Sequence, residues 1–356
     1  MTNTRLKWLD AAKGIAIILV VLHHSILWLD KVDLVHPVYV QIDHFMKQAR
    51  MPLFFLASGI ALKYIYQKPP SEFVAYKLLP IAWIYMVWTV ICGIAFDDVL
   101  SLPFLGGESI AIYFAKAMVQ PTHGLWFVLA LGVMCFLALI TRQLPSMVVL
   151  AGTLAMTLYN DMGLHPAYFP IVSDAVVHNI LNYCLFFFVG LFFSDLIIKE
   201  ANSRNRMLAL LGLSFIGFII ANWLAFQSEA LFWQTQTVRA VCGTAIGFAV
   251  SVLLTRIDQV GSAMSWMGKR SLGIFLGHGL FLVPIVVYMP EAFRGAETLQ
   301  TIAPILATAL CVGGATALYL LLSRIGLRWI YIFPKDKARA IVESAYRVVG
   351  RRAQIT

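Results

Sequence analysis

Ten stretches of 15–20 mostly apolar residues recur along the chain, at about 11–29, 51–66, 78–96, 124–140, 146–160, 179–198, 207–226, 237–255, 271–288 and 304–323. Each is longer than a typical strand, and about 20 such residues in a helix span the roughly 30 Å hydrocarbon core of a bilayer. The pattern predicts an all-α polytopic membrane protein with about ten transmembrane helices. An even number of crossings puts both termini on one side. No internal repeat or low-complexity segment interrupts the series.

Composition fits that pattern. Of 356 residues, 60% are hydrophobic and only 13% charged, more apolar than a soluble domain of this size needs. The basic residues orient the bundle. Arg5, Lys7, Lys13, Lys63, Lys68, Lys77, Arg142, Lys199, Arg204, Arg206, Arg256, Lys269, Arg270 and eight more from Arg324 onward fall on the side of the N-terminus, 21 of the 27 Lys and Arg. Lys31, Lys47, Arg50, Lys116, Arg239 and Arg294 fall on the other. Cytoplasmic loops carry the excess of Lys and Arg, so both termini are expected in the cytoplasm. The same bias accounts for the net charge of +9, which leaves no nucleic-acid partner to explain.

Cys92, Cys135, Cys184, Cys242 and Cys311 all sit in apolar segments without CxxC spacing. They read as small core hydrophobes and not as a disulfide framework or zinc site. The first apolar run has a basic start but no small-x-small cleavage site, and His23, His24, Trp28 and Asp30 follow it. It is therefore expected to stay in the mature chain.

The loops opposite the termini are the longer ones. They are 30–50 with Asp30, Asp33, His36, Asp43 and His44; 97–123 with Asp97, Asp98 and Glu108; 161–178 with Asp161, His165, Asp174 and His178; and 289–303. Such loops suit the mouth of a site for a polar substrate, although for any single residue the plainer reading is a solvated connector. Residues 1–333 are expected to form one membrane domain. After Pro334, Ala338, Ile341, Val342, Ala345, Val348 and Val349 recur at helical spacing against a basic face, so 334–356 reads as a basic amphipathic cytoplasmic tail lying on anionic lipid.

Chemistry concentrates in the first helix. Lys13 and His24 are eleven residues apart, about three turns, so they share one face to within roughly 20° and are separated by about 16 Å along the axis. An ionisable group that deep in hydrocarbon is a functional hypothesis by default. Burial favours the neutral imidazole, the form a general base needs. His23 points off that face. Other groups lie at the rim or inside. Segment two opens Arg50-Met51-Pro52-Leu53-Phe54-Phe55-Leu56-Ala57-Ser58-Gly59, segment three starts at Lys77, segment four opens His123-Gly124-Leu125-Trp126-Phe127, and segment nine carries Ser271-Leu272-Gly273-Ile274-Phe275-Leu276-Gly277-His278. The cations at the cytoplasmic ends of segments one and three suit a polyanionic cytoplasmic ligand.

The run Leu9-Asp10-x-x-Lys13-Gly14-Ile15-Ala16 followed by His24 resembles the bacterial membrane acyltransferase 3 family, as do Arg50-Met51-Pro52-Leu53-Phe54-Phe55-Leu56-x-Ser58-Gly59, Leu125-Trp126-Phe127 and Ser271-Leu272-Gly273-Ile274-Phe275-Leu276-x-His278. The four marks span residues 9–278 in family order. Each alone is weak; together they are fairly specific. The chain is similar to compact ten-helix O-acyltransferases without an appended periplasmic domain. The resemblance implies a bacterial inner-membrane enzyme that moves an acyl group, usually acetyl, from cytoplasmic acyl-CoA to a hydroxyl of an envelope glycan or lipid-linked sugar. It associates Lys13 with the acyl donor, His24 with catalysis, and matches His278 to the family's histidine on segment nine. Two positions depart from the family pattern. Lys13 stands where Arg is usual, and Val74 and Lys77 stand where a paired Arg-x-x-Arg often occurs, so donor recognition by point charges replaces a bidentate fork.

The expected roles follow. His24 acts either as general base on the acceptor hydroxyl or as a nucleophile through an acyl-imidazole; its plainer reading is an interhelical hydrogen bond. His278 takes part in catalysis or orients a reacting group. Lys13 and Lys77 hold the acyl-CoA donor, the plainer reading of Lys13 being a pair with Asp10. Arg50, Trp126 and Arg239 contact the acceptor, with snorkelling as the plainer reading of Arg50 and an interfacial belt that of Trp126. Ser58-Gly59 is read as close helix packing. No metal is expected. The alternative is a transporter or flippase of an acylated or glycosylated envelope lipid without acyl-transfer chemistry; the lack of a clear inverted repeat argues against it.

Overall fold

A computed structural model describes residues 6–100, 116–117, 120–121, 124–162, 174–293 and 295–353, without the side chains at 97–100, 174–175, 292, 335 and 348–353. Glu108, His123, His165 and Arg294, and the side chains of Asp97, Asp98 and Asp174, lie outside the described residues. Secondary structure among the described residues is helical, with no strand. In chain order the helices are α1 (Lys7–Asp30), α2 (Pro37–Tyr66), α3 (Pro70–Phe73), which runs through a π-helical turn (Val74–Leu78) into α4 (Leu79–Leu100), α5 (Trp126–Ile140), α6 (Ser146–Asp161), α7 (Asp174–Phe192) and α8 (Ser194–Ala201). They continue as α9 (Arg204–Ala225), α10 (Glu229–Gln234), α11 (Gln236–Leu254), α12 (Asp258–Gly268), α13 (Ser271–Val287), α14 (Glu297–Arg324) and α15 (Lys335–Ala353).

All ten apolar windows fall mainly on helix. Five helical runs are long and apolar enough to cross a membrane: Lys7–Asp30, Pro70–Phe96, Arg204–Ala225, Gln236–Leu254 and Glu297–Arg324. Two bent pairs, Val176–Phe192 with Ser194–Ala201 at 75° and Asp258–Gly268 with Ser271–Val287 at 73°, bring the number to seven if each is one span. α2 differs from expectation in its start. Residues 37–50, expected in a loop, are helix continuous with the apolar run, and Pro37 stands first, where its missing N–H and fixed φ suit a helix start.

The chain forms two compact units. The first comprises Met1–Ile60, Gly152–His165 and Leu181–Leu321; the second comprises Ala61–Ala151, Pro166–Ile180 and Leu322–Thr356.

In the first unit, paired glycines let backbones meet. A Cβ on Gly14 would lie 2.1 Å from the Met264 carbonyl oxygen, and one on Gly268 would lie 1.7 Å from that of Asp10. α1 and α12 thus touch main chain to main chain, an approach that only small residues allow. Gly59 and Gly190 do the same for α2 and α7, with Cβ positions 2.0 Å from the Phe187 oxygen and 2.2 Å from the Leu56 oxygen. Ser58 donates to the Phe54 carbonyl of its own helix at 2.8 Å, so Ser58-Gly59 serves packing, as read from the sequence. Trp8 meets Phe248 edge-on at 5.2 Å between centroids.

In the second unit, Trp83 and Trp88 donate their indole N–H groups to the carbonyls of Trp329 and Ile330, at 2.9 and 3.1 Å. Arg142 donates to the Tyr66 carbonyl and lies over the Tyr66 ring. The amphipathic α15 buries Ala338 and Val342 against Ala75 of the π-helical turn and Phe333, while Ile341 and Tyr346 stay exposed. Part of the apolar face expected to meet lipid is therefore spent on protein.

Candidate functional site

Within the first unit, α1, α2, α11 and α13 gather ionisable side chains. Gly14 and Gly268 set the start of this arrangement. Ten residues beyond each, His24 and His278 meet.

His278 is buried on α13, 6% exposed. Its Nδ1 hydrogen-bonds the Phe275 carbonyl. A carbonyl only accepts, so Nδ1 carries the proton, and the neutral ring presents a bare Nε2. That Nε2 lies 3.1 Å from Nδ1 of His24, with the rings stacked at 4.9 Å and 24°. A bare nitrogen needs a donor, so His24 gives its Nδ1–H. In the neutral pair the remaining lone pair of His24 then sits on Nε2. The Phe275 carbonyl, through His278, and the Val20 carbonyl one turn back on α1 both bear on the His24 ring, the kind of ring-orienting contact on which acid–base chemistry depends.

The neighbouring His23 belongs to a second chain of contacts. Its Nδ1 is 2.8 Å from Asp43 Oδ2, and the other oxygen of Asp43 accepts from Nη1 of Arg50. Arg50 is 4% exposed. The His23 and His24 rings are 5.2 Å apart, and the Arg50 charge lies within electrostatic reach of His24. Asp43 precedes the apolar run of α2, which begins at 51. Burial pushes its carboxyl pKa up, but the His23 hydrogen bond and the Arg50 charge outweigh that and hold it below the ordinary range.

Sequence reading missed Asp43 as a site residue and took His23 for a bystander. The available signal was spacing: Asp43, Lys47 and Arg50 stand at i, i+4 and i+7, one face of a helix, and become a set once 37–50 is recognised as helical.

The other expected residues lie as follows. Lys13 is half-buried on α1, and the unbroken helix keeps it about 16 Å from His24 along the axis. Arg239 is fully buried in the first turn of α11. Its Nη2 donates to the Phe232 carbonyl at 2.6 Å, and its guanidinium lies 4.4 Å over the Phe232 ring. Lys77, on the π-helical turn, and Trp126, the first residue of α5 with its ring edge-on to Phe127, belong to the second unit.

Chemically, the first unit offers a lone pair of fixed position on an imidazole, a buried arginine held by an aspartate, and further cations nearby. A family model described as an acyltransferase domain matches residues 6–324, a stretch that includes every residue named in this section. No curated protein and no solved structure matches the chain.

Proposed function

The chain belongs to the acyltransferase 3 family, and on that premise we propose that it is an O-acyltransferase of the bacterial inner membrane, with about ten spans and both termini in the cytoplasm. It moves an acyl group, acetyl in the first instance, from cytoplasmic acyl-CoA to a hydroxyl of an envelope carbohydrate or lipid-linked sugar. The coarser reading, a multi-pass membrane acyltransferase, follows from the family and the apolar helices. The observation that supports the finer one is the His24–His278 pair, with its lone pair on His24 Nε2.

In this reading Lys13 engages the donor phosphates as a point charge, and Arg50 and Arg239 serve the acceptor. His24 Nε2 takes the proton of the acceptor hydroxyl as its oxygen attacks the thioester carbonyl. The tetrahedral intermediate collapses, the C–S bond breaks, and the thiolate leaves with the proton that His24 received. The products are the acyl ester and free CoA thiol. Arg50 faces the reaction as a fixed cation for the developing oxyanion. His278 is a positioning residue that acts through His24.

The test uses inside-out and right-side-out vesicles containing the full chain, radiolabelled acetyl-CoA and total envelope extract. Label is expected on envelope material only with wild type, only with donor on the cytoplasmic face, and not with His24→Ala; Lys13→Ala is expected to raise the donor concentration required. If wild type neither binds nor consumes the thioester, the acyltransferase reading falls and a transport role replaces it.

A further inference from the structure

Arg239 is 0% exposed, yet two of its nitrogens, Nε and Nη1, have no hydrogen-bond partner, Nη2 alone being taken by the Phe232 carbonyl. A guanidinium stays charged under all ordinary conditions, and a buried charge left partly unsatisfied is costly. The acid beside it does not close this gap. Asp161 turns Oδ2 to the backbone N–H of Thr237 at 3.1 Å and to its hydroxyl, and its Oδ1 is itself unpartnered. Among the described residues Arg239 forms no ion pair with a carboxylate.

The surroundings add positive charge. His44, on α2, stacks on the same Phe232 ring that underlies Arg239, 5.9 Å between centroids. Lys47, one turn before Arg50, lies within electrostatic reach of both arginines. Both residues precede the apolar run of α2. Burial first, then Arg50 and Arg239, hold the Lys47 ammonium below its ordinary pKa against the opposing pull of Asp43. Burial first, then Arg239 and Lys47, do the same to His44. Asp43 is already held by His23 and Arg50. Asp161 lies within electrostatic reach of Arg239, and Asp43 within that of Lys47 as well as Arg50, so among these described residues two carboxylates are set against three cations, Arg50, Lys47 and Arg239.

We propose that the acceptor is an acidic glycan, and that Arg239 together with Lys47 receives its carboxylate or phosphate while Arg50 remains with Asp43. The proposal rests on the acyltransferase reading and narrows its acceptor. The anionic group then docks about one helical turn of α2 from Arg50, beside the His23–Asp43 contact. Arg50 in turn lies within electrostatic reach of His24, which links the anion's dock to the histidine pair. A permanent charge suits this task, because a charge-assisted hydrogen bond is roughly twice as strong as a neutral one.

The experiment measures equilibrium binding to the full chain in nanodiscs. Three oligosaccharide probes of equal length are compared: a glucuronate oligomer, a glycerol-phosphate-substituted oligomer and a neutral glucose oligomer. At least one anionic probe is expected to bind about tenfold or more tightly than the neutral one, the factor such a bond implies, and the better of the two identifies carboxylate or phosphate. Arg239→Gln is expected to erase the preference and Arg239→Lys to keep most of it. Lys47→Gln is expected to weaken it several-fold and carries the test if Arg239→Gln does not fold. Equal binding of all three probes by wild type overturns the proposal, as does a preference that both variants retain. Thioester turnover is read on the same samples. Anion preference without turnover sinks the acyltransferase reading and leaves the anion site standing; turnover with equal use of neutral and anionic acceptors does the reverse.

Discussion

His278 Nε2 and His24 Nδ1 stand 3.1 Å apart, and the Phe275 carbonyl behind His278 decides which of them donates. His278→Ala removes the Nε2 acceptor and the stacked ring beside His24, which leaves only the Val20 carbonyl to orient it. Turnover is expected to fall about 10²-fold with little change in the KM for acyl-CoA. His24→Ala should lose the larger part of the 10²–10⁴-fold that a positioned base contributes. His278→Gln, whose side-chain oxygen can accept from His24, should recover part of the loss and shift the pH–rate profile relative to His278→Ala. Equal activity of all three His278 forms would mean that His24 is oriented by other contacts.

Asp43 holds two partners at once, and its loss leaves Arg50 buried without a counter-charge. Breaking such a pair from one side costs about 3–5 kcal/mol when both groups are fully buried. Asp43 retains 18% side-chain exposure and Arg50 5%, so about 2–3 kcal/mol is expected for Asp43→Asn, read as a lower melting temperature in detergent. Arg50→Gln combined with Asp43→Asn should be more stable than Asp43→Asn alone, because no uncompensated charge then remains. A double variant as unstable as the sum of the singles would count against the pairing.

Two glycines fix how α1 meets α12 and, through the bend, where α13 carries His278. Gly14→Ala and Gly268→Ala each drive a methyl into backbone at 2.1 and 1.7 Å, where no rotamer change relieves the clash. Overpacking of this kind costs about 1–3 kcal/mol, sometimes more. Each variant is expected to fold in lower yield and to turn over thioester at least tenfold more slowly. Gly212→Ala and Gly313→Ala, where a Cβ meets nothing within 4 Å, are the controls and should leave both quantities unchanged. If the controls lose as much as the paired glycines, the backbone contact is not the cause, because Gly→Ala within a helix is by itself stabilising.

The helices were legible in the sequence because hydrocarbon-length apolar runs are a strong and local signal. Lys13 and His24 were legible for the same reason, since a polar group is conspicuous against that background. Asp43 was not. Residues 37–50 mix Val, Phe and Met with Asp, His, Lys and Arg, so the apolar criterion read them as loop although they continue the helix. The contact of His24 with His278 was equally hidden, because 254 residues separate them and only the Gly14–Gly268 approach with the 73° bend between α12 and α13 brings them together. Arg239 was visible as a cation at the start of an apolar run, but its two unpartnered nitrogens depend on where Asp161 and Phe232 fold back against it.

The charge around Arg239 also fixes a sign for pH dependence. His44 faces Arg239 from α11 and Lys47 and Asp43 from its own helix, and burial with the two cations keeps it neutral near pH 7. A bound anion favours the protonated ring, so binding takes up a proton as His44 titrates. Affinity for a carboxylate or phosphodiester probe should therefore rise as pH falls from 7 toward 5, below the ordinary histidine pKa of about 6.5. Asp43, held below the usual carboxylate range, stays ionised throughout that window and adds no slope. Lys47, held down by burial, acts in the same direction at the alkaline end, where losing its proton weakens binding. Dissociation constants measured from pH 5 to 8 for wild type and His44→Gln check this. The variant should be flat between pH 5 and 7, and a wild-type curve equally flat would remove His44 from the anion's surroundings.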